Sequence, residues 1–151
     1  MSRSLLFGSS LLLAGAITAG AAHAQFADNF DSYSSGTALQ GLNGWKGWDN
    51  TPAAAAVVDS SQSLTAPNAI AIGGGADAVN TMGNPISGCW RFSVDTYIPT
   101  GFAGTQYLIL LNTYNDTGPY NWSVQLSMDS ATGLIRDDFD PAWPGASFPL
   151  D

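Results

Sequence analysis

The chain has 151 residues, with 12 acidic side chains against 4 basic ones and a formal net charge of −8. Such a surface offers a polyanion no basic patch, which excludes nucleic acid and anionic lipid as partners. Every acid is Asp, and the absence of Glu excludes any mechanism that turns on a glutamate acid, base or nucleophile.

Charged residues make up 11% of the chain, well below the roughly 25% of an average soluble domain. With 17 Gly and 8 Pro, the composition favours strands joined by tight turns over long charged helices.

Residues 1–24 read as a secretory signal peptide. Arg3 gives a short positive start, an apolar stretch centred on Leu11, Leu12 and Leu13 follows, and Ala22, His23 and Ala24 form an A-x-A cleavage site. An uncleaved anchor is the competing reading, because the apolar run approaches the length of a bilayer span. Gly8, Gly15 and Gly20 dilute that run and favour cleavage before Gln25. No cysteine follows it for lipid attachment, and no twin-arginine pair is present. The expected destination is secretion, the periplasm or the cell envelope, without stable membrane insertion after cleavage.

The remaining residues, 25–151, suit one domain with no linker. His23 is the only histidine and leaves with the signal, taking Ser-His-Asp, Cys-His and histidine-zinc chemistry out of the mature chain. Cys89 is the only cysteine, so no disulfide can close within the chain. Next to Trp90 and Phe92 it reads as a small strand residue, and stability must come from a core.

Residues 28–33 read as a short edge strand entering a turn at Ser34, Ser35 and Gly36. In residues 41–50, Trp45 and Trp48 interleave with Gly44 and Gly47. Glycines beside large rings let the backbone bend while a ring covers the core; the alternative leaves the rings exposed as a stacking platform. Residues 57–61 and 69–72 are short strand candidates bracketed by turn residues.

From residue 89 to 98 the side chains alternate, with Trp90, Phe92, Val94, Thr96 and Ile98 on one side and Arg91, Ser93, Asp95 and Tyr97 on the other. Residues 121–128 repeat this, with Trp122, Val124, Leu126 and Met128 opposed by Asn121, Ser123, Gln125 and Ser127. Trp90 and Trp122 therefore belong to the core. Residues 105–114 are apolar on both sides around Leu108–Leu111, as expected in the middle of a covered sheet. Turns rich in Gly, Pro, Asn and Asp link these segments. With no 3.6-residue stripe after the signal, the expected fold is an all-β antiparallel sandwich.

Residues 89–99, 107–114 and 118–126, with the opening Asn29-Phe30-Asp31-Ser32-Tyr33 and the Gly44 to Trp48 segment, resemble the concanavalin A-like lectin/glucanase superfamily in secreted bacterial proteins. The resemblance covers roughly residues 28–140. It implies a jelly roll of two curved antiparallel sheets whose concave side holds glycan. Its glycoside hydrolases carry paired glutamates, or Glu with Asp, on a concave-sheet strand, and this chain has no glutamate to carry over. Such domains are also usually longer. The resemblance thus implies an incomplete sandwich, either a truncated reading frame or a shorter variant that self-associates through its sheet edges.

For glycan, the candidate residues are the polar sides of these strands: Arg91, Asp95 and Tyr97; Gln106, Asn112 and Tyr114; Asn121, Ser123 and Gln125. Sugars carry hydroxyls at their edges and C–H groups on their faces, so amides and carboxylates beside a ring are the fitting chemistry. An ordinary solvated sheet face is the competing interpretation. Asp137, Asp138 and Asp140 lack the spacing of a calcium loop and have Arg136 beside them, so they read as a solvated acidic turn. Asn115-Asp116-Thr117 and Asn121-Trp122-Ser123 match the glycosylation sequon but carry little weight in a bacterial-type sequence.

No cofactor or metal is called for. The expected function is a secreted, non-catalytic carbohydrate-binding module whose partner is a polysaccharide or glycoconjugate. The alternatives are a structural or adhesive envelope protein, and a remnant hydrolase that has lost its carboxylates.

Overall fold

A computed structural model describes residues 26–82, 90–140 and 142–147. The proposed signal segment and Cys89 lie outside the described residues. Among the described residues the fold is all-β: eight strands in three antiparallel sheets, with helix limited to the single 3-10 turns Trp48–Asn50 and Pro52–Ala54. Among the described residues no helix is long and apolar enough to cross a membrane.

Two small sheets form first along the chain. β1 (Trp45–Lys46) pairs with β4 (Val79–Asn80), and β2 (Val57–Asp59) with β3 (Ala69–Ala71). Residues 36–39 run beside β2, where the Leu39 amide donates to the Ala56 carbonyl and the Val58 amide to the Thr37 carbonyl, both at 2.8 Å. This brings Leu39, Ala56 and Val58 together as a core that is essentially sealed from water. Phe30, Tyr33, Leu42, Trp45 and Ile70 pack around it.

The third sheet has the order β5 (Thr105–Tyr114), β6 (Tyr120–Asp129), β7 (Leu134–Asp137), β8 (Ala146–Ser147). The turn residues Asn115 to Pro119 close a long hairpin between β5 and β6, as the sequence led one to expect. β5 is nevertheless the outermost strand of the described sheet, not a covered central one. Its residues are at most half-buried, and Tyr107 is 49% exposed.

Two other expectations are corrected. Residues 28–33 form a turn instead of an edge strand, because the Asp28 carboxylate captures the Phe30 amide at 2.9 Å and the Tyr33 amide donates to the Phe30 carbonyl. Residues 90–98 belong to no strand despite their alternation. Trp90, Phe92 and Val94 are 41%, 44% and 58% exposed, and only Ile98 is buried. Alternation gives a segment two faces, but two faces do not by themselves make a strand.

Candidate functional site

The feature best suited to contact a ligand is built at the turn end of the β5–β6 hairpin. Pairing partners face the same side of an antiparallel sheet, and up to Leu110↔Val124 the pairing keeps Val124, Leu126 and Met128 on one side. Leu111 then pairs with Trp122 and Thr113 with Asn121, so Ser123 and Asn112 are each an extra residue without a partner. The first of these bulges moves Trp122 off the apolar stripe to the other face. That is why Trp122 is 37% exposed and not in the core where period-two counting puts it.

The displaced indole joins two tyrosines that the hairpin register sets opposite one another, Tyr114 and Tyr120. Trp48, carried by the 3-10 turn after β1, packs on all three. Its ring centroid is 5.2 Å from Tyr114, 5.0 Å from Tyr120 and 6.1 Å from Trp122, the last pair lying nearly parallel at 29°. Tyr120 meets Trp122 edge to face at 5.7 Å. Trp45 instead covers the core. Trp48 is not left exposed as a platform either, since it is half-buried against the three rings of the hairpin.

Local backbone chemistry aims Trp48. Gly47 is buried, and a Cβ there would stand 2.6 Å from the Ala55 amide nitrogen, closer than atoms can pack. The two residues after Trp48, Asp49 (φ 52°) and Asn50 (φ 56°), are left-handed, a conformation Asp and Asn tolerate better than other side chains.

Asp49 ties this turn to the hairpin. Its amide donates to the Tyr114 hydroxyl at 2.8 Å, and its Oδ1 accepts from the Thr117 amide at 2.9 Å and from the Tyr120 hydroxyl. Donation to that carboxylate pushes the Tyr120 phenol up to about 12. Burial, with the Asp116 and Asp49 charges, raises Tyr114 despite the opposing Asp49 amide and Lys46. Both of these bonds to the Asp49 side chain go to Oδ1.

Lys46 completes the site. Its ammonium pairs with Asp116 at 2.6 Å and sits 5.1 Å from the Tyr114 ring centroid. A cage for a quaternary ammonium needs rings facing one another across a gap that the cation fills. Here the rings touch each other and Lys46 already covers one of them. The arrangement offers instead a partly exposed Trp122 indole packed on Trp48 and on Tyr120, whose hydroxyl is tied to Asp49, which suits a molecule that is apolar on one face and hydroxylated at its rim.

The residues nominated from sequence are dispersed. Tyr114 belongs to the ring cluster. Gln106 pairs with Met128, on the face of the apolar stripe, while Gln125 pairs with Ile109 on the other. The Gln125 amide and the Ser127 hydroxyl both donate to Asp138 at 2.7 Å and hold its carboxyl below the ordinary value. Arg91, Asp95 and Tyr97 are exposed on the 90–98 segment. Asn112 and Ser123 are the bulge residues, and Asn121 faces away from its neighbour Trp122. Trp48, Asp49, Tyr120 and Trp122 were not nominated. The available signal was the set of aromatics at both ends of the turn, which a hairpin necessarily brings together.

A second polar centre lies in an open depression of about 810 Å³ lined by Ala27, Asp28, Asn29, Ser32, Tyr33 and Asn43. Burial works against the Asp28 charge, yet bonds from the Tyr33 hydroxyl at 2.7 Å, the Phe30 amide, the Asn43 amide at 3.2 Å and the Trp45 indole at 2.9 Å lower its pKa. These partners occupy the carboxylate and make Asp28 a hub of the fold. Among the described residues no group of three or more His, Cys, Asp or Glu is placed to hold a metal. No protein-family model, curated protein or solved structure matches the chain.

Proposed function

We propose that the protein is a secreted, non-catalytic carbohydrate-binding module, an antiparallel β-sandwich of the concanavalin A-like kind, and that sugar binds on Trp122 at the turn end of its long hairpin. One observation carries this role: Trp122 is 37% exposed near the turn end of β6, backed by Trp48 and met edge to face by Tyr120. Backing matters because a ring already held in place loses little conformational entropy when a sugar stacks on it. The test is retention of the purified mature chain on insoluble polysaccharide. The wild type is retained and Trp122→Ala is not, whereas Tyr97→Ala and Gln125→Ala are retained as wild type. Equal retention of Trp122→Ala, or none by the wild type, refutes the proposal.

A structural or adhesive role has one observation in its favour, the exposed Trp90, Phe92 and Val94 on alternate positions. An apolar row of that kind favours chain-to-chain association. Sedimentation that rises with concentration in the wild type, but not in Phe92→Ser, supports that role instead.

A further inference from the structure

We infer that Asn43 is a site of spontaneous covalent modification: its side-chain amide is displaced by the Gly44 backbone nitrogen, and the acid that results unseats the Asp28 carboxylate to which the small core is tied. The inference is independent of the glycan-binding role.

Asn43-Gly44 is the only Asn-Gly pair in the chain. The Trp45 amide donates to the Leu42 carbonyl at 2.8 Å, and the two residues between them, Asn43 (φ 46°) and Gly44 (φ 80°), are both left-handed. That is the arrangement of a type I′ turn, for which Asn followed by Gly is the favoured pair. The same pair is chemically labile. Gly44 has no Cβ to shield its nitrogen from the Asn43 Cγ, and both residues are exposed to water. The Asn43 carbonyl accepts from the Asn80 side-chain amide at 3.1 Å. That donor steadies the negative charge which spreads onto the carbonyl oxygen when the Gly44 nitrogen gives its proton to solvent.

The Gly44 nitrogen then attacks Cγ. A C–N bond forms, the Cγ–Nδ2 bond breaks, and Nδ2 takes a proton and leaves as ammonia. Water opens the resulting five-membered imide. Attack at Cγ gives an ordinary aspartate, and attack at the backbone carbonyl gives an isoaspartyl link. In sum one amide and one water become a carboxylate and an ammonium ion, with no oxidant or cofactor consumed.

Position gives this chemistry a consequence. Asn43 Nδ2 donates to Asp28 Oδ2 at 3.2 Å, the longest of the four bonds to that carboxylate; the others come from the Tyr33 hydroxyl, the Phe30 amide and the Trp45 indole. Phe30, Tyr33 and Trp45 pack on Leu39, Ala56 and Val58. Modification turns a donor into a second carboxylate beside Asp28, so a bond is lost and two like charges meet. Among the described residues no cation is ion-paired with Asp28 to offset that repulsion, since Lys46 is paired with Asp116. The isoaspartyl product also adds a carbon to the backbone and breaks the turn.

The experiment holds the purified protein warm at mildly alkaline pH and follows it by peptide mass spectrometry, by an isoaspartyl methyl-acceptor assay and by urea unfolding. Asn43→Gly keeps a residue suited to the left-handed turn but has no amide to lose, and Asn43→Asp carries the product charge from the start. The expected result is amide loss concentrated at Asn43, an isoaspartyl signal, and a urea midpoint that falls with time in the wild type but not in Asn43→Gly. Fresh Asn43→Asp should unfold with an equilibrium constant about tenfold larger than fresh wild type at neutral pH. That gap should narrow in high salt, and again as pH falls through the carboxylate range, because both remove the repulsion. An Asn43 that keeps its amide under these conditions overturns the inference. So does Asn43→Asp as stable as the wild type, or less stable by an amount that neither salt nor pH changes.

Discussion

The Tyr120 hydroxyl donates to the Asp49 carboxylate across 71 residues of chain, joining a left-handed turn near the small core to the first residue of β6. That bond seats Trp48 against the hairpin, so the ring cluster depends on two parts of the sequence at once.

The bond should be visible in an alkaline titration. Tyr120 is pushed up to about 12 by its bond to Asp49, from an ordinary 10.0. A folded-state pKa above the unfolded one stabilises the fold fully below pH 10, and that contribution is lost as pH rises from 10 through about 12. Near-ultraviolet absorbance should show a late-titrating tyrosine that disappears in Tyr120→Phe and moves down toward the ordinary value in Asp49→Asn.

Asp28 acts at the other end of the pH range. Its lowered pKa gives stability that is present above 3.8, the ordinary value, and is lost as pH falls through the folded-state value. Asp28→Ala removes the acceptor of the Tyr33, Asn43 and Trp45 side chains and the Phe30 amide. The expected loss in urea unfolding at neutral pH is about 2 kcal/mol, moderated because water can reach part of the site. The difference from wild type should shrink on acidification.

Gly47→Ala forces a methyl group against the Ala54–Ala55 backbone. Overpacking of this kind costs about 1–3 kcal/mol. Thermal unfolding should show the loss, and because the turn that carries Trp48 must shift, glycan retention should fall with it.

Leu39→Ala and Val94→Ser should separate core from surface. Leu39 is fully buried beside Ala56 and Val58, so truncation should cost about 3 kcal/mol. Val94 is 58% exposed, and its replacement should change stability by less than about 0.5 kcal/mol. A large loss for Val94→Ser would place that residue back in a core.

The two long strands were legible because period-two alternation, or an unbroken apolar run, was bounded by turn residues. β5 and β6 fall where those signals put them, and the helix-poor composition agrees with the all-β fold. The same alternation misled at residues 90–98, since it reports a preference for two environments and says nothing about a neighbouring strand. Trp122 was misplaced for a different reason. An extra residue at Ser123 inverts every facing beyond it, and single-strand periodicity cannot reveal a bulge that exists only relative to β5. Asp49 and Asp28 carried no spacing signal at all, because their partners come from Tyr120, Thr117, Tyr33 and Trp45, brought close only by folding.

The most direct measurement is tryptophan fluorescence of the mature chain titrated with a neutral β-gluco-oligosaccharide. A sugar stacked on Trp122 should give a saturable shift that is absent in Trp122→Ala and retained in Trp90→Ala. A shift that persists without Trp122, or none in the wild type at millimolar sugar, would contradict the account.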